Sequence, residues 1–463
     1  MKEHKRNRRK TKITRRELLG GAASFAAFTI VPRHVLAGSG QMAPSDTLNM
    51  GKIGCGGMQG GGDLRSVSNC EGVNIYSLCD VDEAQAGSSF SQYYQNAKLY
   101  KDFRQMLERE KDNLDGVVVT IPDHMHAIAS IMAMERGIGV YTQKPLVQSV
   151  WEARLLKNGY EKYQVPTQMG NQGYSAEATR IAAEFVWNGD LGDVTEVYSW
   201  RSRRFADGIV EWPPEEPVPS TLDWDLWLGR AHENTYSSQI HPSEWRGFLE
   251  YGTQMIGDWG IHMLGPANWA LGLSHTHPVA VTCTEVSGVN PVTYPSYSCI
   301  YEFPERDHPY IDGQRMAPVK VYWYEGDTAR NVVLPESLEG LNTSGYNEII
   351  IGTKGSIGTG GRGESIGVIS LETTERPPEM IERSPGHFQD WVNSFRDAEP
   401  SCSNFSIAAG YTEWMLLGAI SWRFPEERLE WDGENLRFTN NDRANQYVKP
   451  YFRPGWELED VTV

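Results

Sequence analysis

The chain has 463 residues, a formal net charge of -17 and 40% hydrophobic residues, including 15 Trp and 21 Tyr. This length is too great for one simple core and predicts two or three domains. The apolar and aromatic content excludes a disordered protein, and we expect no membrane anchor because no apolar run is long enough to span a bilayer. The acidic charge argues against nucleic acid or an anionic membrane surface as a partner.

The basic N-terminus differs from the rest of the chain. Residues 1–37 contain ten Lys and Arg but two Glu, so the remaining residues carry a formal charge of -25. The segment 14–19, Thr-Arg-Arg-Glu-Leu-Leu, precedes a mildly apolar run, and small residues for cleavage follow at 35–37. This pattern is similar to a twin-arginine signal peptide. It predicts recognition by the twin-arginine export machinery and a periplasmic location, with an ordinary basic tail as the alternative.

The six cysteines include no C-x-x-C pair and no cluster with zinc-ligand spacing. The twin-arginine route carries proteins that have already folded in the reducing cytoplasm, so a disulfide framework is not expected. We therefore predict that the cysteines are core thiols.

Apolar runs and helical stretches alternate over residues 48–146, which predicts a parallel sheet with helices on both faces. The first strand, Leu48–Ile53, leads into the glycine-rich segment Gly54–Gly60, and a helix is expected from about Asp63. This placement predicts the phosphate-binding turn of a dinucleotide fold. The usual third glycine would stand at 59, where this chain has Gln59 with Gly60 one place later, so an ordinary glycine turn remains an alternative.

A carboxylate follows the second predicted strand, Val73–Cys79. Asp80 lies 20 residues after Gly60, where a carboxylate accepts hydrogen bonds from both ribose hydroxyls and repels a 2'-phosphate. This predicts NAD rather than NADP. A cap for the helix that begins near Glu83 is the alternative role for Asp80.

Polar residues also follow the next two predicted strands, Asp115–Pro122 and Gly139–Thr142. Ligands of such sheets bind beyond the carboxyl ends of the strands. His124 and His126 start a helix, and their i, i+2 spacing does not aim both rings at one metal ion. Lys144 follows the end of the other strand and is followed by a proline. The proline fixes the backbone there, so the lysine is expected to place its cation in the cleft.

From these residues the chain resembles the glucose-fructose oxidoreductase, inositol dehydrogenase and MocA (Gfo/Idh/MocA) family of sugar oxidoreductases, and within it the exported branch. The resemblance covers nearly all of the chain after the leader. At 143 the family has Glu where this chain has Gln143, which removes a negative charge beside Lys144. The matching segments are Gly54–Gly60, Cys79-Asp80, Ile121–Asp123 with His126, Gln143–Pro145, Gln168–Gln172, Leu222–Gly229, Gly257–His262 and Tyr451–Trp456.

The resemblance implies an α/β fold: an N-terminal Rossmann dinucleotide-binding domain over residues 46–168, plus a C-terminal α/β domain over residues 169–463 with a large, mostly antiparallel open sheet. It also implies a homo-oligomer, dimer or tetramer, formed through that sheet. The irregular Pro- and Trp-rich segment 201–249 is interpreted as a lid or rim. The sequence pattern predicts strands at Val194–Trp200, Val279–Val286, Ser298–Phe303, Val319–Tyr324 and Ile349–Ile351, amphipathic helices at His387–Arg396 and Ile407–Trp422, and a final strand or hairpin at Leu429–Asn440.

Asp258 and His262 have i, i+4 spacing in a predicted helix, Met255–Leu271, so that the carboxylate can orient the imidazole of a general base. A surface pair or a two-ligand metal site fits the same spacing. By resemblance, His262 takes the hydroxyl proton, Asp258 orients it, and Lys144 hydrogen-bonds the reacting oxygen. The resemblance also implies cofactor contacts from Gly54, Gly56, Gly57, Met58, Gln59, Asp80, Pro122, His126, Gln143, Lys144 and Asn171.

Together these features predict a periplasmic NAD-dependent oxidoreductase that acts on a ring carbinol of a sugar, glycoside or cyclitol. Little free NAD exists outside the inner membrane, so the cofactor is expected to be tightly bound. One alternative is an NAD-dependent glycoside hydrolase that uses transient oxidation, elimination and re-reduction, with Tyr174, His241 or Tyr251 as a further base. The second is a noncatalytic sugar or cofactor binder, suggested by Gln143 and the displaced glycine.

Overall fold

The computed structural model describes residues 47–93, 96–372, 374–397 and 399–461. The predicted leader, residues 1–37, lies outside these ranges. No helix in the described ranges is long and apolar enough to cross a membrane. All six cysteines are free thiols, and four of them are buried.

The first sheet occupies the N-terminal part of the described chain. Its strands are β1 (Leu48–Ile53), β2 (Val73–Cys79), β3 (Lys98–Tyr100), β4 (Gly116–Val119), β5 (Gly139–Gln143) and β6 (Thr167–Gly170). The helices that connect them are α1 (Gly57–Ser68), α2 (Glu83–Tyr93), α3 (Phe103–Glu110), α4 (His126–Met134) and α5 (Val150–Tyr163). The order β3-β2-β1-β4-β5-β6, with every neighbouring pair parallel, is that of the Rossmann fold and confirms the predicted fold class.

Two boundaries in the first sheet and its helices differ most from the prediction. Helix α1 begins at Gly57, six residues before the expected start near Asp63, because the glycine run itself forms the first helical turn. Strand β4 ends at Val119 rather than Pro122, since a proline has no N–H to donate to a neighbouring strand. The core of β4, Val117–Val119, is fully buried, as expected for a strand covered on both faces.

The second sheet, in the C-terminal part, contains β7 (Val194–Arg201), β8 (Ala280–Ser287), β9 (Ser296–Phe303), β12 (Val319–Glu325), β13 (Glu348–Gly352), β14 (Gly355–Gly360), β15 (Ser365–Ser370), β16 (Arg428–Asp432) and β17 (Arg437–Phe438). A separate ribbon pairs β10 (Arg306–Asp307) with β11 (Arg315–Met316). The order of the second sheet is β15-β14-β13-β7-β12-β9-β8-β16-β17, and among its described neighbours only β7 and β12 are parallel. The predicted large, mostly antiparallel sheet is confirmed.

The remaining helices are α6 (Glu177–Trp187), α7 (Trp224–Leu228), α8 (Ile261–Met263), α9 (Gly265–Ala270), α10 (His387–Asn393), α11 (Phe405–Ser421) and α12 (Asp442–Asn445). Short 3₁₀ turns occur at Asp123–Met125, Gln172–Ser175, Glu244–Gly247, Leu273–His275, Thr328–Arg330 and Glu336–Leu338, and a π-helical turn at Ile256–Gly260.

Helix α11 joins the two sheets. All of its 17 residues except Ser406 and Ile407 are buried, so the prediction of an amphipathic helix here is wrong. The reason is that α11 packs against α5 and β6 on one side and against β8 and β9 on the other. Arg154 of α5 and Glu413 of α11 form an ion pair of 2.9 Å across this contact.

The last described residues run back over the first sheet's helices. The Trp456 ring lies 6.3 Å from the Phe103 ring of α3, and the Arg104 guanidinium lies 4.0 Å above it. Trp151 of α5 donates a hydrogen bond of 2.8 Å to Asp460. The C-terminal segment 451–461, without regular structure, therefore covers part of the Rossmann domain.

Candidate active site

A cavity of about 510 Å³ lies beyond the carboxyl ends of β1, β2, β4 and β5. This volume is typical of small-molecule sites. Residues of the predicted lid segment form much of its outer wall, among them Phe205, Trp227 and Trp245. The predicted site residues on its wall are Gly54, Gly56, Gly57, Met58, Gln59, Asp80, Pro122, Gln143, Lys144, Asp258 and His262.

The glycine turn leaves the N-terminus of α1 open to a ligand. Gly56 is the N-cap and offers no capping side chain, and the first turn contains no acidic residue. Backbone N–H groups and the helix dipole therefore favour a phosphate at this point. Gly60 packs against the strand end, because a Cβ there would lie 2.8 Å from the Gly54 carbonyl oxygen. The third glycine thus keeps its packing role although it stands one place late, and the turn fits the diphosphate of a dinucleotide.

Asp80 fastens this turn to the end of β2. Its Oδ2 accepts hydrogen bonds from the N–H groups of Cys55 at 2.7 Å and Gly56 at 2.9 Å. Burial raises the pKa of Asp80, and these N–H donors oppose that shift. The alternative role as a cap for α2 belongs instead to Asp82, whose Oδ1 accepts from Ala84 N–H at 3.0 Å. Asp80 therefore presents a carboxylate to the cavity, as a ribose-binding residue requires.

The carboxylate that is missing at position 143 is supplied by helix α1. Gln143 Nε2 donates to both oxygens of Asp63, at 3.1 and 2.9 Å. Thr120 Oγ1 donates to the same carboxyl at 2.7 Å. Burial raises the pKa of Asp63, whereas the nearby Lys52 ammonium and these hydrogen bonds lower it. An amide is required at 143, because a second carboxylate cannot donate to Asp63.

Lys144 and Asp258 form an ion pair on the cavity wall. Lys144 Nζ donates to Asp258 Oδ1, and Arg246 Nε lies 3.4 Å from the same oxygen. The side chains of Lys144 and Asp258 are 15% and 11% exposed. Burial alone would raise the pKa of Asp258, but the two cations hold it below its usual value. Asp258 is therefore ionised and fixes the position of Lys144.

His262 is not hydrogen-bonded to Asp258 in the described part of the chain, contrary to the prediction. The expected helix Met255–Leu271 is interrupted: the π-helical turn Ile256–Gly260 precedes α8 and α9. A π turn changes the angular spacing, so the i, i+4 residues 258 and 262 do not pair as in an α-helix. Asp258 acts on His262 through its charge alone. This charge favours the protonated imidazole and opposes, without reversing, the lowering of its pKa by burial.

The imidazole of His262 is held neutral. Burial lowers its pKa well below the usual value, and the cations Lys144 and Arg362 lower it further. Its Nδ1 is buried and has no hydrogen-bond partner among the described residues. A neutral imidazole with an unpaired Nδ1 on the cavity wall can accept a substrate proton, but its lowered pKa makes it a weaker base than a free imidazole.

Two predicted cofactor residues do not reach the cavity. The ring nitrogens of His126 each lie 2.8 Å from a backbone carbonyl, of Pro145 and Ile121. Burial lowers the pKa of His126 to about 4. Asn171 Oδ1 accepts a hydrogen bond of 2.7 Å from Ser403. Both residues lie behind the cavity wall and support the strand ends.

Of the three residues named as further bases, only His241 lines the cavity. Tyr174 and Tyr251 are buried outside the cavity wall and bind Asn268 and Asn234. His241 lines the cavity, but its Nε2 lies 2.8 Å from Asp82, next to Asp80.

Asp123, which the sequence analysis did not single out as a base, does line this part of the cavity. Burial raises its pKa to about 7, and Thr253 Oγ1 donates to it at 2.8 Å. The sequence contained one indication of this role, because Asp123 directly follows the end of a predicted strand, where ligands of such sheets bind.

The Rossmann sheet, the open helix N-terminus and the Lys144 and His262 side chains define a nicotinamide-dependent oxidoreductase. Residues 48–171 match the family model described as "Oxidoreductase family, NAD-binding Rossmann fold", and residues 193–292 match "Oxidoreductase family, C-terminal alpha/beta domain". The chain belongs to the Gfo/Idh/MocA oxidoreductase family, and its cofactor is NAD.

Three known proteins illustrate the similarity. Inositol 2-dehydrogenase of Salmonella paratyphi B is 31% identical over 265 residues, which is 56% of this chain and 69% of the relative. A glycosyl hydrolase family 109 protein of Shewanella pealeana is 30% identical over 149 residues, 29% of this chain and 31% of the relative. The structure of the WlbA dehydrogenase from Bordetella pertussis, in complex with NADH and UDP-GlcNAcA, has a TM-score of 0.54 at 15% identity and covers 83% of this chain and 99% of its own, which shows the shared fold.

Proposed function

We propose that the protein transfers hydride between a tightly bound NAD and a ring carbinol of a sugar, glycoside or cyclitol, in the periplasm. The observation that carries the proposal is that Lys144 and His262 line the same cavity as the Gly54–Gly60 turn and Asp80. Its similarity to inositol 2-dehydrogenase and to D-apiose dehydrogenase of Paraburkholderia graminis supports a carbohydrate or cyclitol substrate.

The side chains divide the chemistry among them. NAD, held by the glycine turn and Asp80, supplies the acceptor or donor of hydride. His262 is neutral and accepts the hydroxyl proton of the substrate. Lys144 donates a hydrogen bond to the reacting oxygen and stabilises its developing charge. Asp258 holds the Lys144 ammonium in place through their ion pair.

The proposed compartment explains why the cofactor is retained. Outside the inner membrane, an enzyme that released its cofactor at each turnover would soon be empty. The cofactor is therefore loaded in the cytoplasm, is exported within the folded protein and is reset in place. A second sugar, the same substrate at the end of a cycle, or an external electron acceptor accomplishes this reset.

A second candidate is an NAD-dependent glycoside hydrolase, which Asp123 favours. Transient oxidation of one carbinol acidifies the neighbouring C–H, a base removes that proton, and the leaving group is eliminated before water addition and final reduction. Asp123 has a pKa of about 7 and lines the cavity with Lys144 and Asp258, as such a base requires. The similarity to glycosyl hydrolase family 109 proteins points the same way.

One experiment separates these functions. The purified, desalted protein is denatured and the released cofactor is identified by mass spectrometry. The native protein is then mixed with sugars and nitrophenyl glycosides, while absorbance at 340 nm and nitrophenol release are followed. A change in cofactor redox state with an oxidised or reduced sugar product supports the oxidoreductase. Nitrophenol release without a net redox change supports the hydrolase. If neither signal is observed, the remaining function is that of a noncatalytic binding protein.

We also propose that the protein assembles into a homo-oligomer, a dimer or tetramer, through the second sheet. Tyr198 of β7 and Tyr322 of β12 stack there with centroids 4.3 Å apart, and Trp200 and Tyr324 beside them are partly exposed. A partner sheet would bury the exposed parts of Trp200, Tyr322 and Tyr324, whereas Tyr198 is already buried within the chain. Light scattering should give twice or four times the chain mass, and Tyr322→Glu should shift it towards the monomer. A monomeric wild-type protein would contradict this assignment.

A further inference from the structure

Arginines surround the part of the cavity that contains His262. Arg203, Arg246 and Arg362 line it together with Lys144. The Arg203 and Arg246 guanidinium groups lie 4.8 and 5.6 Å from the Phe205 ring. These contacts hold both groups on an aromatic surface. Arg203 keeps its N–H donors available, whereas Arg246 donates to the Ser243 carbonyl and faces Asp258.

Most of this positive charge has no anionic partner. Arg246 shares the single carboxylate of Asp258 with Lys144. Arg203 and Arg362 form no ion pair and donate no side-chain hydrogen bond within the described residues. The other carboxyl in this part of the wall, Asp123, has a pKa raised by burial to about 7, so it offsets only part of this charge near neutral pH. The site is therefore cationic in a protein whose net charge is -17.

Arg362 reaches the cavity from a distant part of the fold and is held there. Arg362 lies in the turn between β14 and β15, and its carbonyl oxygen packs against Gly173. A Cβ at residue 173 would lie 1.6 Å from that oxygen, so only glycine permits this contact. The Arg362 guanidinium lies 5.8 Å from the centre of the Trp259 ring. The Arg201 guanidinium lies 4.0 Å from the centre of the same ring. The Nε of Arg201 is buried and has no acceptor among the described residues.

Guanidinium groups that line one cavity without counter-ions repel one another, and a bound anion relieves that repulsion. We propose that the substrate is a sugar that carries a carboxylate or phosphate group, and that Arg203 and Arg362 bind this group while Lys144 and His262 act on a ring hydroxyl. This inference rests on the proposed function and specifies its substrate class. The arginines are assigned to the substrate rather than to the cofactor diphosphate because Arg362 accompanies Trp259 and His262, whereas the diphosphate fits the turn at α1.

Matched sugars test the inference on the cofactor-loaded protein. Calorimetry compares glucose with glucuronate and glucose 6-phosphate, and galactose with galacturonate and galactose 6-phosphate. The anionic members should bind at least about tenfold more tightly, as expected for a charged hydrogen bond, and less tightly as salt rises. The uronates and the phosphates distinguish which of the two anionic groups is preferred.

Variants connect this preference to the arginines. Arg362→Gln and Arg203→Gln should each weaken binding of the preferred anionic sugar by about 10- to 100-fold, and Arg362→Lys should retain part of the affinity. Arg437→Gln, which removes an exposed arginine of β17, is the matched control and should leave the preference unchanged. Circular dichroism and cofactor content show whether each variant is folded and loaded.

Three results would overturn the inference: no binding of any anionic probe, equal affinity for the neutral and anionic sugars, or an unchanged preference in both glutamine variants. Loss of NAD from folded Arg362→Gln would assign the arginines to the cofactor and overturn it as well. The proposed function fails separately. If anionic sugars bind selectively but neither redox change nor product follows, the substrate-class inference stands and the oxidoreductase assignment falls.

Discussion

Gln143 Nε2 lies within hydrogen-bond distance of both carboxylate oxygens of Asp63, at 3.1 and 2.9 Å. Helix α1 thus provides the carboxyl group that Gln143 binds, beside the strand end that carries Lys144. The amide at 143 and the carboxylate at 63 are complementary, and a change at one position is expected to require a change at the other.

Gln143→Glu should destabilise the protein, because it places a second buried carboxyl against Asp63 with no donor between them. We expect the free energy of unfolding to fall by about 1–3 kcal/mol at pH 8 and by less at pH 5, where a shared proton restores the hydrogen bond. Urea denaturation at the two pH values measures this. The double variant Gln143→Glu with Asp63→Asn should recover most of the loss. A single variant as stable as wild type at pH 8 would contradict the pairing.

His262→Gln should lower turnover by about 10² to 10⁴ while NAD remains bound, because only proton transfer is lost. Lys144→Met should lower turnover similarly. Single-turnover kinetics with cofactor quantification measures both. His275→Gln, which changes a histidine outside the cavity wall, is the control. Near-normal turnover of His262→Gln would remove the assignment of this residue as the base.

Asp80→Asn and Asp80→Ala should differ in a defined way. The asparagine keeps an acceptor oxygen for the Cys55 and Gly56 N–H groups but loses the charge that repels a 2'-phosphate. It should therefore lose discrimination against NADP with a small loss of NAD affinity, whereas alanine should weaken NAD binding by about 10- to 100-fold. Cofactor titration of the stripped protein measures both effects. An unchanged NAD preference in both variants would leave Asp80 as a purely structural residue.

Stability should fall as pH rises from about 4.5 to about 8, in part because of Glu348. This carboxyl is fully buried, and burial raises its pKa to about 8. Between its unfolded value near 4.5 and about 8, the folded state retains a proton that the unfolded state has lost. Its contribution to stability is therefore complete below pH 4.5 and is lost by about 1.4 kcal/mol per pH unit up to pH 8.

Glu348→Gln tests this, since an amide mimics the protonated acid and keeps its contact with Thr359 Oγ1. The variant should flatten the dependence of the unfolding free energy on pH between 5.5 and 8. Glu336→Gln, in an exposed turn, is the control. Parallel curves for wild type and Glu348→Gln would show that Glu348 is ionised in the folded protein.

Replacing Arg15 and Arg16 by Lys should block export, because the twin-arginine signal is read by a receptor and not by charge. Cell fractionation and immunoblotting measure the location. Arg8→Lys with Arg9→Lys preserves the same charge and leaves the pair intact, so it is the matched control. Periplasmic accumulation of the Arg15 and Arg16 variant would contradict the proposed location.

Local patterns were sufficient to predict the elements that build the first domain. Strands β1 and β2 were predicted with the bounds observed. The Gly54–Gly60 turn and Asp80 were recognised because strand, turn, helix and acid follow one another closely in the chain. Lys144 was found for the same reason, as a cation at a strand end.

The features that were missed depend on contacts between distant segments. Helix α11 is buried on all sides because a sheet and a helix from separate domains enclose it, which its own sequence does not indicate. Strands β14 and β15 are rich in Gly and Ser and lack the alternation that marks a strand. Their turn carries Arg362, so this part of the site was not predicted either. The sequence predicted that Asp258 pairs with His262, but Asp258 pairs with Lys144, because a π turn replaces the expected α-helix.

The segment that covers α3 also affects the order in which the protein can be completed on the ribosome. Phe103 lines the cavity, and the ring that supports it belongs to Trp456, which is synthesised long after Phe103. The nucleotide-binding half is made first, but one of its cavity residues lacks this support until Trp456 has been translated. A truncated chain therefore exposes Phe103 and α3 as apolar surface. An exporter that accepts folded proteins would have a physical basis for rejecting such an unfinished chain.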